Sequence, residues 1–215
     1  HVTSNETIGG IRFPELPSVG VPLVSDMSSD FLSRSIDWDA HDLVYGGAQK
    51  NLGPAGMAVV VVRKDRLASH GRRLASYLDY STHESNDSMA NTPPMFAIYV
   101  MGKVLKWMQA EGGLGEFERR ATKRASILYG AIDGSGGWYT CPVDEASRSY
   151  MNIVFRLPDE DLEKRFVAEA AEAGMVNLKG HRSVGGIRAS AYNALPVDSV
   201  RTLVDFMGSF QAANG

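Results

Sequence analysis

Cysteine is almost absent from this sequence of 215 residues, which contains only Cys141. A single cysteine cannot form an internal disulfide, and nothing in the composition points to an oxidising compartment, so we expect a cytoplasmic protein. Long apolar runs are absent as well. The most apolar segment, residues 58–62, runs into Arg63 and Lys64 and is far too short to cross a bilayer. We therefore expect no membrane partner.

An excess of either charge is also lacking. The sequence has 22 basic and 25 acidic residues, a net charge of -3, and so gives no electrostatic reason to expect a nucleic acid partner. The histidines His41, His70 and His83 show no metal-ligand spacing with one another or with Cys141, so we expect no metal site. Apolar residues make up 44% of the chain, which is enough to bury the core of a globular protein.

An initiating methionine is missing too, and residues 1–10 lack the charged and apolar regions of a signal peptide. The opening Val-Thr-Ser stretch is typical of a strand that runs into a loop. We expect that part of a longer chain precedes it.

The spacing of apolar residues predicts an α/β protein in two parts. Residues 58–62 form a β-branched run without alternation, which favours a strand covered on both faces inside a sheet. The sequence predicts strands at residues 21–24, 43–45, 58–62, 151–157, 175–178 and 184–189. It predicts four helices: from Pro93-Pro94 to Gly112, from about 116 to 132, after Pro158-Asp159 and after Pro196. We assign residues 1–112 to a strand-rich α/β domain and 113–215 to a smaller α+β domain.

The strongest local signal is a single lysine set among glycine and small residues at 46–56, directly after a predicted strand. A phosphate-binding P-loop needs Gly before the lysine and Ser or Thr after it, whereas Gln49 and Asn51 flank Lys50 here. The P-loop is therefore excluded. A glycine turn with an ordinary surface lysine remains an open alternative at this point.

A lysine normally titrates near ~10.4, so it is a poor nucleophile unless a pocket desolvates it or a carbonyl cofactor captures it. Pyridoxal phosphate (PLP) is such a cofactor, and it also needs a carboxylate against its pyridine nitrogen. Asp26 directly follows the predicted strand at 21–24. Because ligands bind at the carboxyl ends of parallel strands, Asp26 and Lys50 are candidates for one site.

Four segments of the sequence resemble the signature segments of the phosphoserine aminotransferase family, in the family's order and at similar spacings. The segments are residues 4–8, 48–56, 91–94 and 179–190. The resemblance implies the α/β fold of PLP-dependent transferases of the aspartate aminotransferase type. It further implies that this chain is the C-terminal portion, with part of the large, mainly parallel-sheet domain followed by the small α+β domain.

Roles at the cofactor follow from the resemblance. It implies that Lys50 is the Schiff-base lysine, that Asp26 faces the pyridine nitrogen of PLP, that Gln49 contacts the cofactor phosphate and that Thr7 lies beside the ring.

The resemblance also implies that Asn91 and Thr92 reach the phosphate of a neighbouring subunit's cofactor, and hence a homodimer with shared active sites. Both residues precede a predicted helix, where unpaired N–H groups favour an anion. Without the resemblance, an ordinary helix cap would be the simpler interpretation of this pair.

The substrate of this family carries a carboxylate and a phosphate, so two cationic anchors are needed. The resemblance implies that Arg188 clamps the carboxylate and that His181 and Arg182 bind the phosphate. A guanidinium group matches carboxylate oxygens in a way that a lysine cannot. A solvated basic turn is the alternative for residues 179–182.

The implied reaction transfers the amino group of glutamate to 3-phosphohydroxypyruvate, giving phosphoserine and 2-oxoglutarate in serine biosynthesis. Some members of the family also serve pyridoxine biosynthesis. Because roughly the first two-fifths of the usual family chain is not part of this sequence, we expect these residues alone to be a poor enzyme.

Two alternatives are a non-catalytic fragment that only binds or dimerises, and another PLP enzyme such as a cysteine desulfurase relative. The latter needs a reactive cysteine, and Cys141 lies away from every motif.

Overall fold

The N-terminal part is built on a four-stranded mixed sheet. The computed structural model describes residues 1–67 and 74–215. The strands of this part are β1 (Val2–Thr3), β2 (Asn5–Glu6), β3 (Ile11–Arg12), β4 (Val24–Asp26), β5 (Leu43–Gly47) and β6 (Ala58–Val62). The sheet order is β1-β4-β5-β6, in which β1, β4 and β5 are parallel and β6 pairs antiparallel with β5. Strands β2 and β3 form a separate antiparallel pair.

The prediction that residues 58–62 are covered on both faces is wrong. Strand β6 stands at the end of the sheet order, and Val60 and Val61 are 37% and 41% exposed. The β-branched run therefore reflects the preference of these residues for a pleated backbone, and burial is not required for that preference. An edge strand has a sheet neighbour on one side only, and here that neighbour is β5.

The C-terminal part packs three helices around a two-stranded antiparallel sheet. Its elements are α4 (Gly113–Asp133), β7 (Asn152–Phe155), α5 (Glu160–Glu172), β8 (Ile187–Ser190) and α6 (Val197–Asn214). Before them lie the helices α1 (Lys64–Leu67), α2 (Tyr80–Ser85) and α3 (Met95–Ala110). Helices α3 to α6 were predicted from the sequence, whereas the short α1 and α2 were not. Within the described ranges, no helix has the length and apolar character needed to cross a membrane.

The predicted strand at 175–178 does not form. Asn177 has a φ of 64°, in the left-handed region, which interrupts an extended backbone. Isolated hydrogen bonds connect this segment to β8: the Arg188 N–H donates to the Leu178 carbonyl at 2.8 Å, and Lys179 forms an isolated bridge with Ile187. The segment therefore follows β8 without becoming a strand.

Each part has its own apolar cluster. The first cluster centres on Met27, Phe31, Val44, Ala48 and Leu52. The second lies between residues 125 and 210 and includes the fully buried ring of Phe166. These separate clusters fit a division at residue 112, which stays a prediction.

Buried amides join the two parts. The Asn5 side chain donates to Ser29 Oγ at 2.8 Å and to Asn152 Oδ1 at 2.9 Å, and it accepts from the Ser149 hydroxyl. All four of these side chains are buried. Because a buried polar group without a partner is costly, this network fixes β2 and the N-terminal sheet against β7.

Phe166 is the centre of an aromatic group in the second cluster, with ring centroids 5.0 Å from Phe206 and 5.2 Å from Phe210. We predict that Phe166→Ala lowers the free energy of unfolding by about 3–5 kcal/mol, since it removes a buried ring and leaves a cavity. Urea unfolding followed by circular dichroism measures the change. Phe13→Ala is the matched control, because Phe13 is 40% exposed and should cost less than about 1 kcal/mol. An equal loss of unfolding free energy in both variants would contradict the placement of Phe166 at the centre of this cluster.

Candidate active site

The parallel pairing of β4 and β5 brings the predicted acid and the predicted lysine to one edge of the sheet. Asp26 is the last residue of β4 and pairs with Tyr45 of β5. Lys50 follows the end of β5 on a tight turn, in which the carbonyl of the fully buried Ala48 accepts from the N–H groups of Leu52 and Gly53. The turn therefore holds the lysine above the carboxyl ends of both strands.

Lys50 is not an ordinary surface lysine. Its side chain is half-buried, and its Nζ donates to Thr7 Oγ1 at 2.6 Å. Burial lowers the pKa of Lys50 below its usual value of 10.5, while Asp26 partly restores it and Arg188 lowers it further. The surface-lysine alternative therefore does not describe this residue. A larger neutral fraction of the amine is what nucleophilic attack on a carbonyl requires.

Asp26 is held by the backbone that follows it. Its Oδ1 accepts from the Ser28 N–H at 2.8 Å. Burial raises the pKa of Tyr45, and the nearby Asp26 carboxylate raises it further, so the phenol and the carboxylate face each other. The Tyr45 hydroxyl also lies 3.0 Å from His1 Nε2. Sequence reasoning missed Tyr45, although its register opposite Asp26 was a usable signal once the two strands were taken as parallel neighbours.

Gln49 folds back over the end of β5. A Cβ added at Gly47 would lie 2.5 Å from Gln49 Oε1, so the absence of a side chain at Gly47 leaves room for Gln49 in this position. The Gly47 N–H donates to Ser28 Oγ at 3.1 Å, which ties the same glycine to the loop after Asp26. Gln49 itself is exposed.

Arg188 reaches the same site from the C-terminal part. It lies on β8 opposite Val154. Its effect on the pKa of Lys50 places its charge near the amine. Its Nε is buried and has no hydrogen-bond partner among the described residues. Because an unpaired buried N–H is unfavourable, this guanidinium has unused capacity for an anion.

His181 and Arg182 lie on a turn before β8. The Ser183 N–H lies 3.3 Å from His181 Nδ1 and the Ser183 hydroxyl lies 2.7 Å from it, while Arg182 is exposed. Among the described residues, neither side chain contacts Lys50. The structure thus brings Thr7, Asp26, Lys50 and Arg188 together and leaves His181 and Arg182 at a turn of their own.

The helix-cap interpretation of Asn91 and Thr92 is wrong. The residue before the first helical position of α3 is Pro94, and no side chain caps the helix. The Asn91 amide donates to the Thr92 carbonyl at 3.1 Å, and both residues are exposed. Their side chains remain available on the surface ahead of α3.

The histidines give no metal site in the part of the chain that the structure describes, where no group of three or more His, Cys, Asp or Glu side chains could hold a metal ion. His41 is buried, with Nδ1 2.6 Å from the Asp37 carbonyl, and His83 Nε2 is 2.9 Å from the Tyr77 carbonyl. His70 lies outside the described residues.

Comparison with known proteins places this geometry in a family. The model of the aminotransferase class-V family matches residues 1–203. The chain is 53% identical to the phosphoserine aminotransferase of Laribacter hongkongensis (strain HLHK9) over 215 residues, all of this chain and 60% of that protein. It is also 53% identical to the phosphoserine aminotransferase of Niallia circulans over 216 residues, again 60% of that protein.

Solved structures give the same result. The phosphoserine aminotransferase from Bacillus circulans subsp. alkalophilus is 52% identical with a TM-score of 0.95, over 99% of this chain and 59% of that one. The PLP-bound phosphoserine aminotransferase from Trichomonas vaginalis is 40% identical with a TM-score of 0.91, over 96% of this chain and 59% of that one. The predicted α/β fold class is confirmed.

This chain belongs to the aminotransferase class-V family. Within that class its similarity is to phosphoserine aminotransferases, and it spans about 60% of the length of the curated relatives that it matches.

The charges around Lys50 predict the direction of its titration in two variants. Asp26→Asn removes the charge that holds the proton on the amine, so the pKa of Lys50 should fall further. Arg188→Gln removes a repelling charge, so the pKa should rise. The measurement is the pH dependence of competitive acetylation of Lys50 by mass spectrometry, in protein without cofactor.

Lys164 serves as the control lysine, because it is exposed and its pKa is raised by Asp161. Lys50 should become reactive at lower pH than Lys164 in the unmodified protein. Shifts of Lys50 in the same direction in both variants would contradict the electrostatic arrangement.

Proposed function

We propose that the protein containing this chain is a PLP-dependent phosphoserine aminotransferase, which uses glutamate to convert 3-phosphohydroxypyruvate into phosphoserine and 2-oxoglutarate. The observation that carries the proposal is the half-buried Lys50 amine, which donates a hydrogen bond to Thr7 and whose pKa responds to the charges of Asp26 and Arg188. The whole of this chain is similar to phosphoserine aminotransferases, over 60% of their length, and this similarity supports the substrate class.

The residues present fit PLP. The structure offers an amine of lowered pKa in Lys50 for the cofactor aldehyde and the carboxylate of Asp26 for the pyridine nitrogen. Gln49 would contact the cofactor phosphate, and Thr7 would lie at the ring side. When bound, PLP supplies a carbonyl that amines attack and a protonated ring that accepts electron density from the substrate.

The chain's own residues then have separate tasks. Lys50, once its Nζ is free, is suited to take a proton from the substrate and return it, because its pKa lies below that of an exposed lysine. Asp26 would hold the pyridine nitrogen, with its Oδ1 fixed by the Ser28 N–H. Thr7 orients the amine through the bond to its Oγ1.

Substrate anchors lie in the C-terminal part. The buried, unpartnered Nε of Arg188 suits a carboxylate, which accepts two N–H groups from one guanidinium. His181 and Arg182 would bind the substrate phosphate. If the Ser183 N–H donates to Nδ1, the proton of a neutral His181 ring lies on Nε2, where it can be donated to a phosphate oxygen.

A cysteine desulfurase relative is a weaker assignment. Cys141 packs against the apolar cluster of the C-terminal part and is only partly exposed. A reactive cysteine needs an exposed, electropositive setting near the substrate.

The proposed location is the cytoplasm, where a protein with one cysteine and no disulfide is expected. We propose that the same active site could also serve pyridoxine biosynthesis.

The test of function is the Lys50→Ala variant of the full protein. Turnover of glutamate with 3-phosphohydroxypyruvate should fall by at least about 10²–10⁴-fold, the range for the loss of an acid–base group. Lys164→Ala, which removes an exposed lysine of α5, should leave turnover unchanged. In the unmodified protein, borohydride should fix PLP on Lys50, as mapped by mass spectrometry. Unchanged turnover in Lys50→Ala would end the assignment, and absence of labelled lysine would favour a non-catalytic role.

We also propose that the protein is a homodimer. Exposed large apolar side chains are concentrated between residues 77 and 99, and six of them have 62% to 75% of their surface exposed: Tyr77, Leu78, Met89, Met95, Phe96 and Tyr99. Such a concentration of apolar surface marks an interaction site. Asn91 and Thr92 lie in the same stretch. A second copy bound there would be next to this pair, as the proposed contact of Asn91 and Thr92 with the second copy's cofactor phosphate requires.

Phe96→Glu should therefore shift the protein from dimer to monomer, since it places a charge on the most exposed side chain of the apolar stretch. Sedimentation velocity measures the change. Val21→Glu is the control, because Val21 is 69% exposed but lies far from this stretch in the sequence. A dimer that persists in Phe96→Glu would mean that another surface holds the subunits together.

A further inference from the structure

A tight turn carries the two residues proposed to bind the substrate phosphate. The Gly180 N–H donates to the Gly186 carbonyl at 2.8 Å, which closes the segment 180–186. The N–H groups of Val184 and Gly185 both donate to the His181 carbonyl. The segment is therefore a closed loop with His181 and Arg182 at one end.

The turn rests on a charged pair, the partly exposed Arg156 and the buried Glu163, that no step of the proposed reaction uses. Glu163 of α5 is 7% exposed, and its Oε1 accepts from Arg156 Nε at 2.6 Å. Its other oxygen, Oε2, accepts from the Gly186 N–H at 3.1 Å. Arg156 in turn donates from Nη1 to the Val184 carbonyl at 2.8 Å. Both members of the pair thus bind the backbone of the same turn.

Arg156 cannot easily move away from the turn. Its backbone is fixed by two hydrogen bonds with Thr140, at 3.0 and 2.8 Å. A Cβ added at Gly186 would lie 2.7 Å from Arg156 Cδ, so the turn lies directly against this side chain. Gly185 and Gly186 have φ values of 70° and 71°, a conformation that glycine adopts without strain.

Arg188 is supported in a different way. It belongs to the β7–β8 ladder, opposite Val154, and its N–H donates to the Leu178 carbonyl at 2.8 Å. The carboxylate anchor is therefore fixed by the sheet, whereas the phosphate anchors are fixed by the Glu163–Arg156 pair.

We propose that Glu163 and Arg156 are positioning residues that set the conformation of the 180–186 turn and thereby the affinity of the site for the phosphate end of its substrate. This proposal rests on the proposed function. It predicts that loss of the pair weakens binding of phosphoserine much more than binding of L-serine, which has the same skeleton without the phosphate and offers only its carboxylate.

Glu163→Gln is the sharpest change, because glutamine has nearly the same shape but only one acceptor oxygen. One of the two donors, Arg156 Nε or the Gly186 N–H, would then face an NH₂ group. We expect faster hydrogen exchange in peptides covering 180–186. In separate half-reactions of the holoenzyme, the apparent Kd for phosphoserine should rise about tenfold, the effect of a buried donor left unpaired. The apparent Kd for L-serine, measured by equilibrium titration of the holoenzyme, should change less than about twofold.

Asp161→Asn is the matched control. Asp161 lies in the same first turn of α5 and pairs with Lys164 at 2.8 Å, but its side chain is 89% exposed. It should change neither hydrogen exchange nor either Kd. If Glu163→Gln fails to fold, Arg156→Lys provides the second variant, since lysine retains the charge and cannot reproduce the bonds to both Glu163 and Val184.

Two results would overturn the proposal: exchange of 180–186 in Glu163→Gln equal to that in Asp161→Asn, or equal weakening of phosphoserine and L-serine binding. Failure of the proposed function would appear elsewhere, as an unmodified protein that transfers no amino group from phosphoserine or glutamate. In that case the exchange measurement still decides whether Glu163 positions the turn.

Discussion

The site depends on one amine that is partly removed from water at the edge of a parallel sheet. Burial of Lys50 disfavours its charged form, and the two charges with the largest effect on its pKa act in opposite directions. Asp26 holds the proton on the amine, and Arg188 repels it. The pKa of the amine therefore lies below that of a surface lysine, and a lowered pKa favours acid–base work. This balance of charges arises only because β4 and β5 are parallel neighbours whose carboxyl ends meet.

That balance requires both parts of the chain to be held together. Asn51, the residue after Lys50, accepts from the Asn193 N–H at 3.0 Å, and the Asn193 amide donates to the Leu32 carbonyl at 2.8 Å. The buried network around Asn5 provides a second tie between the parts. Since these bonds have little exposure to water, relative movement of the two parts would leave amides unpaired, which is unfavourable. Lys50 and Arg188 therefore keep a fixed relation although they lie in different parts of the fold.

How much of this was predictable differs from residue to residue. Asp26 and Lys50 could be paired from the sequence, because strand ends and a glycine-rich turn are local signals. Arg188 could not, because its place opposite Lys50 depends on contacts between distant parts of the chain; only the family resemblance identified it. Glu163 was missed for the same reason. Its partners are a strand residue and a turn backbone, and its position in the first turn of a helix suggests no more than a favourable helix dipole.

The errors were also physical in origin. The run at 58–62 was expected to be buried because strands of this composition usually are, but its place at the sheet edge is not a property of the run. Asn91 and Thr92 resembled a cap because they precede a helix, yet the two prolines after them displace the start of α3. Their exposure beside an apolar stretch is what the proposed dimer requires of them. The proposed site joins strand ends of one part to an arginine of the other, and in the proposed dimer it would also take these outward-facing residues from the second copy.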